Sequence, residues 1–498
     1  MMTNDRKRLT AVLALAVLAS ASLIPFDRAS AQPKQAAPQF TPAPTYTLPP
    51  ASVPTSLPYP AYGTPVPGVG AGTPAPGVPD RVNLPQAIAV GFARSPVLAA
   101  ARADVGVAAA GVRLQRAGLL PTIDGSANVG RSYDQSGSLT INTGGGLSAN
   151  HALYENLNSV TASLRQLIFD GGRVAAEIRS AQRNETALAD TYRRALQTAA
   201  FNVADAYYTY LEAQRTTAVD VELVRTAQVQ EQLVEAQFRA GTAARADVVT
   251  AQLPVAQAKL AVVRAQGAEF AAQAAFANVM GLDAGAMVQP IDDTPLAIDA
   301  PISSLPVPTY TQALARALAL RPDYDSSVQT IASAQQALRA AKLGLFPNLA
   351  GTAQAGTDSS NSQGGAYRNA SQVGLALSIP LYDGGITAAN TAQAQANVDI
   401  AVAGLQNTKL GIQLNVKQAL TNLVSSEAAL DQARAELQNA IEVLQATQAQ
   451  YKAGVTTLPL LLNAQTGLTQ AVTDRVTTIY NLRIAEQQYL YAVGQIGS

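Results

Sequence analysis

The sequence of 498 residues contains no cysteine, no tryptophan and a single histidine. The absence of cysteine excludes disulfide bonds, thiolate metal sites and lipidation of an N-terminal cysteine. Only 14% of the residues are charged, with 34 basic and 34 acidic side chains, so the composition gives no electrostatic support for a nucleic-acid partner. The lone histidine, His151, falls in a predicted loop, and we find no phosphate-binding loop or serine-centred catalytic motif. We therefore predict neither an enzyme nor a metal or cofactor site.

Long apolar runs are also scarce. One spans Leu9 to Ile24, after basic residues at 6–8 and before a small-x-small cleavage site at 29–31. This pattern predicts a secretory signal peptide over residues 1–31. No later stretch offers the ~20 consecutive apolar residues that a membrane-spanning helix needs. Residues 32–82 form a proline-rich extension with too little apolar surface to fold.

The remaining sequence is an internal duplication. Positions from Gln86 to Gly125 recur 226 residues later, whereas positions from Asp170 onwards recur 213 residues later, because one loop between strands is longer in the first copy. We predict a first repeat at 83–290, a linker at 291–308 and a second repeat at 309–498, arranged as pseudo-symmetric halves. The matched positions include Gln86/Gln312, Pro96/Pro322, Pro121/Pro347, Asp170/Asp383, Gly241/Gly454 and Gly281/Gly494.

Both repeats have the same predicted order of elements: short helix, second helix, strand, loop, strand, very long helix, glycine turn and returning helix. The long helices have about 65–70 residues, which corresponds to a length on the order of 100 Å. The fold class is therefore mainly α with a small β part. The predicted bounds in the first and second repeats are 85–94 and 309–319 for the short helix, and 97–118 and 323–343 for the second helix. They are 122–133 and 348–357 for the first strand, and 171–238 and 384–451 for the long helix.

The junction between the second strand and the long helix is the most distinctive local motif. Apolar and polar residues alternate over 160–165 and 372–381, which is typical of a strand with one apolar face. Each strand then meets an Asp-Gly-Gly triplet. We predict that the aspartate is the N-cap of the long helix and that the glycines allow a sharp turn. The triplets are Asp170, Gly171 and Gly172, and Asp383, Gly384 and Gly385.

The long helices carry apolar residues at a seven-residue period, which predicts a coiled-coil seam. Many seam positions are alanine, which allows close helix approach, and Asp220 and Glu231 interrupt the first seam. A plain two-helix coiled coil would explain this feature taken alone. The seam positions are Leu196, Ala199, Val203, Ala206, Tyr210, Ala213 and Thr217 in the first repeat, and Leu430, Ala433, Leu437, Ala440, Leu444, Thr447 and Tyr451 in the second.

The strands favour a pore over a plain coiled coil. Four short strands at the end of a helical rod do not form a stable isolated sheet. A closed transmembrane β-barrel needs about eight strands or more, so several chains would have to contribute strands to one barrel. The alternative is a periplasmic coiled-coil adaptor or scaffold protein without a pore, which would leave the alternating strands and the duplication unexplained.

The proline-bounded strands, the duplicated Asp-Gly-Gly junction and the aromatic-x-Ala-Gly turn resemble those of the TolC-like outer membrane factors, over 84–494. The resemblance implies a homotrimer with a 12-stranded β-barrel in outer-membrane lipid and an α-barrel tunnel of coiled-coil hairpins in the periplasm of a Gram-negative bacterium. It implies the exit duct of a tripartite efflux or type I secretion system. The implied partners are a periplasmic adaptor (membrane fusion) protein and an inner-membrane RND, ABC or MFS transporter.

The resemblance also places the entrance of the duct at the helix tips. Tyr451 and Gly454 match the family pattern, but Thr456 stands where much-studied members have arginine. Leu460 and Asn463 stand where those members have pore-facing aspartates. We therefore expect a ring of Leu460 side chains to form an apolar constriction that resists wetting.

The first repeat offers a different candidate for the entrance. Asp247 occupies the position equivalent to Leu460 and could supply a ring of negative charge, with Arg245 as a nearby partner. The alternative is that Asp247 is a first-turn carboxylate favoured by the helix dipole. We expect the turns at Gly241 and Gly454 to be the tips that dock on the adaptor.

Overall fold

The computed structural model describes residues 77–132, 139–141, 147–149, 155–292, 307–360 and 366–496. The predicted signal peptide, residues 32–76 of the extension, His151 and residues 293–306 of the linker lie outside this range. The domain bounds therefore stay predictions.

Helices dominate the described residues. Both long helices have 67 residues, as their apolar period and the glycine turns predicted. The eight helices of the described ranges are α1 (Leu84–Arg94), α2 (Pro96–Ala117), α3 (Arg173–Arg239), α4 (Arg245–Val279), α5 (Tyr310–Leu320), α6 (Pro322–Lys342), α7 (Ile386–Lys452) and α8 (Leu458–Val493).

The four predicted strands form one antiparallel sheet in the order β2-β5-β7-β8. Two further strands, β3 and β4, pair as a short hairpin inside the predicted loop of the first repeat, and β1 and β6 pair in parallel. The described strands are β1 (Arg81–Val82), β2 (Thr122–Ser132), β3 (Leu139–Ile141), β4 (Leu147–Ala149), β5 (Glu155–Phe169), β6 (Gln289–Pro290), β7 (Asn348–Ser360) and β8 (Arg368–Ser378).

The helices stand side by side as a wall of four columns. The end of α4 meets the start of α2: a Cβ on Gly281 would lie 2.6 Å from the carbonyl oxygen of Arg94. The end of α8 meets the start of α6 in the same way, at Gly494 and Leu320. The first column is therefore α4 with α2, the second is α3, the third is α8 with α6, and the fourth is α7. Each column packs along its neighbour in this order.

The order of the columns is also the order of the strands. Helix α2 leads into β2, β5 leads into α3, α6 leads into β7, and β8 leads into α7. Each column therefore continues into its own strand, and the sheet repeats the lateral order of the wall. In this single chain the two outer strands, β2 and β8, each have one unpaired edge, and the outer columns each have one neighbour.

The core of the wall follows the predicted seams. In α7, the seam residues Leu430, Ala433, Leu437 and Thr447 are buried. In α3, Val203 packs in a cluster with Tyr207, Tyr210, Phe276 and Met280, against the short helix α1. The second repeat has its own cluster, in which α5 packs against α7 and α8. Burial raises the pKa of Asp220, as expected for a carboxylate that interrupts an apolar seam.

The structure corrects one predicted strand end. The alternation predicted that β8 would continue to Leu381, but the strand ends at Ser378, which pairs with Asn348. The next residue but one is Pro380, which has no amide hydrogen to donate to the ladder. Pro254 lies in the interior of α4, and the helix continues through it without a break. Pro459 lies in the first turn of α8, as predicted.

No helix among the described residues is both long enough and apolar enough to cross a membrane.

The equivalent glycines of the two junctions provide a matched pair of substitutions. Gly171 and Gly384 have φ of +73° and +66°, but a Cβ on Gly171 would lie 2.6 Å from Cδ1 of Phe346, whereas a Cβ on Gly384 would meet no atom within 4 Å. Alanine at a left-handed position costs about 1–2 kcal/mol, and overpacking adds about 1–3 kcal/mol. We therefore predict that Gly171→Ala lowers the thermal unfolding midpoint more than Gly384→Ala does. Equal shifts would contradict the role of the Phe346 contact.

Candidate functional site

The candidate site has two ends, which are the strand-to-helix junctions and the helix tips. At the junctions, the Asp170 carboxylate accepts hydrogen bonds from the amides of Gly172 and Val174, at 2.9 and 2.7 Å. The Asp383 carboxylate makes the same pair of bonds with Gly385 and Thr387. The aspartates therefore satisfy free amides of the first helical turn, as the sequence predicted.

The position of the aspartate in the junction differs from the prediction. The N-cap residues are Gly172 and Gly385, both with φ of 89°, and each aspartate lies two residues before its cap. The chain needs two consecutive left-handed residues to turn from strand to helix, so the glycines occupy the cap position. The carboxylate reaches across them to the helix.

At the opposite end, both hairpins turn through the same cap. Gly241 and Gly454 have φ of 76° and 72°. After α3, the Gly241 amide donates to the Phe238 carbonyl and the Thr242 amide donates to the Gln237 carbonyl. The equivalent bonds form after α7, and this pair of bonds is the Schellman motif. The turns are exposed at the extreme end of the wall.

The two tips contact one another. Val234 of α3, Ala251 of α4 and Leu458 of α8 form a small buried cluster, and Tyr451 packs against it. The Tyr451 hydroxyl donates a hydrogen bond to Oε1 of Gln237 at 3.1 Å. This bond ties the end of α7 to the end of α3, where sequence reasoning had no partner for Tyr451.

The predicted constriction residues occupy one face of the first turns of α8. Leu460 is 50% exposed, whereas its neighbour Leu461 is 3% exposed. Asn463 is exposed and Thr456 is half-buried. In the single chain about half of the surface of Leu460 therefore stays uncovered.

Asp247 has a local role in the structure. Its carboxylate accepts a hydrogen bond from the amide of Ala244 at 2.9 Å, which is the first-turn role that the sequence offered as an alternative. Arg245 is exposed, and the ion pairs found among the described residues do not join it to Asp247. The structure therefore does not bring Arg245 and Asp247 together as a pair.

A mostly apolar cavity of about 380 Å³ separates the two hairpins above the tips. Helix α3 contributes Val219 and Leu223, α4 contributes Pro254, and α7 and α8 contribute Leu444 and Val472. The hairpins therefore touch at the tips and near the middle of the wall and leave a space between these contacts.

A polar cluster that sequence reasoning missed joins the second and third columns near the middle of the wall. Arg194 of α3 lies 3.9 Å from the ring centroid of Tyr491 and donates to its carbonyl oxygen. Arg321 is buried and makes a bidentate ion pair with Asp323, at 3.0 and 2.6 Å. Burial, followed by the charge of Arg321, lowers the pKa of Arg194. These residues are far apart in the sequence, and no local motif marks them.

A second missed contact fixes the start of the linker between the repeats. The Asp292 carboxylate accepts hydrogen bonds from Arg215 of α3 and from the hydroxyl of Tyr480 of α8, at 2.6 and 2.7 Å. Burial, with the charge of Asp292, raises the pKa of Tyr480, so its hydroxyl stays protonated. Asp292 therefore anchors the start of the linker to α3 and α8.

Comparison with known proteins gives the family. The model of the outer membrane efflux protein family matches residues 91–282 and 313–495, that is, both repeats. The chain belongs to the outer membrane efflux protein family. The resemblance to the TolC-like outer membrane factors is thereby confirmed, and so is the mainly α fold class with long helices and a small β part.

Individual relatives cover most of the chain. Protein CyaE of Bordetella pertussis is 28% identical over 84% of this chain and 85% of its own length. The alkaline protease secretion protein AprF of Pseudomonas aeruginosa is 28% identical over 76% of this chain and 78% of its own. The crystal structure of the Campylobacter jejuni CmeC outer membrane channel superposes with a TM-score of 0.71 at 19% identity, over 83% of this chain and 86% of that one.

Family membership gives the activity and its location. The protein is an outer membrane channel, an exit duct of the kind used in efflux and type I secretion, in the outer membrane of a Gram-negative cell with its helical part in the periplasm. The family consists of channels, which are not enzymes. Within the part of the chain that the structure describes, no three histidine, aspartate or glutamate side chains group as metal ligands.

The Asp383 junction gives a prediction about pH. Hydrogen bonds from the hydroxyl and the amide of Thr387 lower the pKa of Asp383 below its ordinary 3.8. A carboxyl whose pKa is lowered by folding stabilises the folded state above the ordinary value and loses this effect as the pH falls through the lowered pKa. We predict that Asp383→Asn lowers the unfolding midpoint at pH 7 and that its difference from the wild type shrinks as the pH falls below 3.8 and through the lowered pKa. A difference that is independent of pH would contradict this account.

Proposed function

We propose that three copies of the chain close into one pore that spans the outer membrane and the periplasm. The observation that carries the proposal is the matching order of strands and columns. The lateral edge of one chain is formed by β2 and the first column on one side, and by β8 and α7 on the other side. Unpaired strand edges are not tolerated in lipid, so β8 of one copy would pair with β2 of the next. Three copies of four strands make twelve, as the family resemblance implies.

The outer face of the sheet supports contact with lipid. Large apolar side chains on one face of the sheet are strongly exposed in the single chain: Ile123, Val129, Val373, Leu375 and Leu377. The pairings Leu349↔Leu377 and Ile123↔Leu164 keep apolar residues on the same face of neighbouring strands. A scaffold protein without a pore would expose this face to water at a large cost, so the structure favours the pore over that alternative.

The helix tips are the proposed site for partners. The turns at Gly241 and Gly454 are exposed and share one cap geometry, so three copies would present six similar turns around the entrance. A periplasmic adaptor protein would grip these turns and connect them with an inner-membrane RND, ABC or MFS transporter. The relatives CyaE and AprF align over most of their own length, which supports the same mode of assembly.

The proposed cargo is a polypeptide. AprF is by name a secretion protein for alkaline protease, and its similarity extends over three quarters of this chain. Deletion of the gene should therefore remove a protein from the culture supernatant. Expression of the gene from a plasmid in the deletion strain should restore the secretion of that protein. If deletion changes only the sensitivity to small toxic molecules, the cargo proposal is wrong and small-molecule efflux takes its place.

Membrane association provides a direct test of the pore. We predict that the mature protein stays with outer membranes after carbonate and high-salt washing, because the apolar face of the sheet contacts lipid. It should also migrate as a larger species in unheated detergent gels than in heated ones. A protein that washes off as a monomer would contradict the pore and support the scaffold.

We further propose that the entrance is closed by apolar and neutral contacts rather than by charge. Leu460 is half exposed and can face other copies, whereas the Asp247 carboxylate accepts a hydrogen bond from the Ala244 amide. The Tyr451–Gln237 hydrogen bond and the cluster around Val234 would hold the tips together in the closed state. A hydrophobic constriction excludes water without a ring charge.

Conductance of the reconstituted protein tests this gate. Leu460→Ser should raise the closed-state conductance, because a hydroxyl wets the constriction. Asp247→Asn, at the equivalent position of the first repeat, is the matched control and should change conductance little. No change after Leu460→Ser, or a larger change after Asp247→Asn, would contradict the apolar gate.

A further inference from the structure

One face of the wall forms a space that all four columns line. This space lies near the middle of the wall and has a volume of about 1200 Å³. Its lining residues come from the start of α2 and the end of α4, from α3, from the start of α6 and from α7, whereas the short helices α1 and α5 contribute none. Only a concave face can bring four consecutive columns around one space. In a ring closed by three copies, the concave face of each copy would face the pore.

The two repeats place the same side chain on this concave face. Asn202 of α3 and Asn415 of α7 are equivalent under the spacing of 213, and both are exposed and line the space. The residue that follows each of them, Val203 or Val416, is buried in the cluster that holds the short helix of its repeat. Successive residues of a helix lie about 100° apart. The asparagines therefore face the space and not the short helices.

Two further asparagines belong to the same surface. Asn278 at the end of α4 and Asn407 of α7 are exposed and line the space. We call Asn202, Asn278, Asn407 and Asn415 together the neutral waist. Within the residues that the structure describes, no hydrogen bond is formed by any of these four side chains. The neutral waist therefore offers amide groups that are available to bind another molecule.

The charged side chains that line the space are neutralised or held against the wall. Arg321 and Asp323 form a bidentate ion pair, at 3.0 and 2.6 Å. The side chain of Arg194 is 12% exposed, and its guanidinium donates to Oε1 of Gln197 and to the carbonyl oxygen of Tyr491, at 2.9 and 3.2 Å. The exposed groups of this surface are therefore mainly uncharged amides and hydroxyls.

A second space, nearer the sheet, has the same character. It has a volume of about 600 Å³ and is lined by α2, α3, α6 and α7. Asn184, Asn390 and Gln393 are exposed there. The charged residues that line it, Arg173 and Glu177, form an ion pair at 2.7 Å. The neutral concave surface therefore continues towards the sheet.

We propose that the neutral waist is a contact surface for an unfolded polypeptide, and that its asparagines exchange hydrogen bonds with the backbone of the cargo as the cargo passes. The inference rests on the proposed pore of three copies and on the proposed polypeptide cargo, and it adds the residues that meet the cargo. An asparagine side chain has a carbonyl oxygen and an NH₂ group, so it accepts from and donates to peptide bonds. Hydrogen bonds between neutral groups are weaker than those to ions and are exchanged more easily. A neutral surface therefore lets segments of either charge pass without holding them.

Current recordings across a planar bilayer with defined peptides test this inference. The probes are an unfolded glycine–serine peptide with lysine at every fourth position and the same peptide with glutamate at those positions. In the wild type, both peptides should interrupt the current for similar times at voltages of equal size and opposite sign. Asn407→Asp should prolong the interruptions by the lysine peptide about tenfold, because a charged hydrogen bond replaces a neutral one.

The residue next to Asn407 provides a matched control. Gln406 is exposed but does not line the space, and it lies about 100° from Asn407 around α7. Gln406→Asp adds the same charge at the same level and should leave the interruptions unchanged. Asn407→Gln keeps a neutral amide and should also behave like the wild type. Asn415→Asp should repeat the effect of Asn407→Asp at a second position.

The outcomes separate this inference from the proposed function. If the wild type conducts but neither Asn407→Asp nor Asn415→Asp prolongs the interruptions, or if Gln406→Asp prolongs them equally, the neutral waist is not the contact surface and the pore stands. The same conclusion follows if the wild type already holds one of the two peptides about tenfold longer than the other. If neither the wild type nor any variant forms a conducting pore, the proposed pore is wrong and this inference fails with it.

Discussion

The constraint on which the structure depends is the need of every backbone amide and carbonyl in a membrane for a partner. The four-stranded sheet satisfies this need for its inner strands but leaves one edge each of β2 and β8 unpaired. The columns of the wall have the same incompleteness, with apolar residues exposed on α2 and α7. These incomplete edges are the basis of the proposal that one chain is a segment of a ring, which copies of the chain would close at the same two places in the strands and in the helices.

The duplication explains how a chain with few charges builds such a segment. Each repeat supplies two columns and two strands, and the seam between repeats shows how one unit packs on another. Within the chain, this seam is fixed by the cluster of Arg194, Arg321 and Asp323 and by the anchor at Asp292. These polar contacts are specific in geometry, and they hold the two repeats in one register.

Features with a local or periodic signal could be predicted from the sequence. The two 67-residue helices, the glycine turns and the four main strands came from the apolar periods and from the duplicated motifs. The end of β8 at Ser378 was missed because the apolar alternation continues past Pro380. The hydrogen-bonded ladder ends before this proline, which has no amide hydrogen to donate. The strands of the β3–β4 hairpin have only three residues each, which is too short for a period-two pattern to be recognised. The Tyr451–Gln237 bond and the Arg194 cluster join residues hundreds of positions apart, so no sequence pattern reveals them.

The claim that one chain is a third of a closed ring is tested most directly by electron cryo-microscopy of the purified protein in lipid nanodiscs. A cross-section below the membrane should show twelve helical columns with threefold symmetry, and a section through the membrane should show twelve strands. A particle with four columns, or a ring in which α7 does not lie beside α2 and α4 of the next copy, would contradict the account.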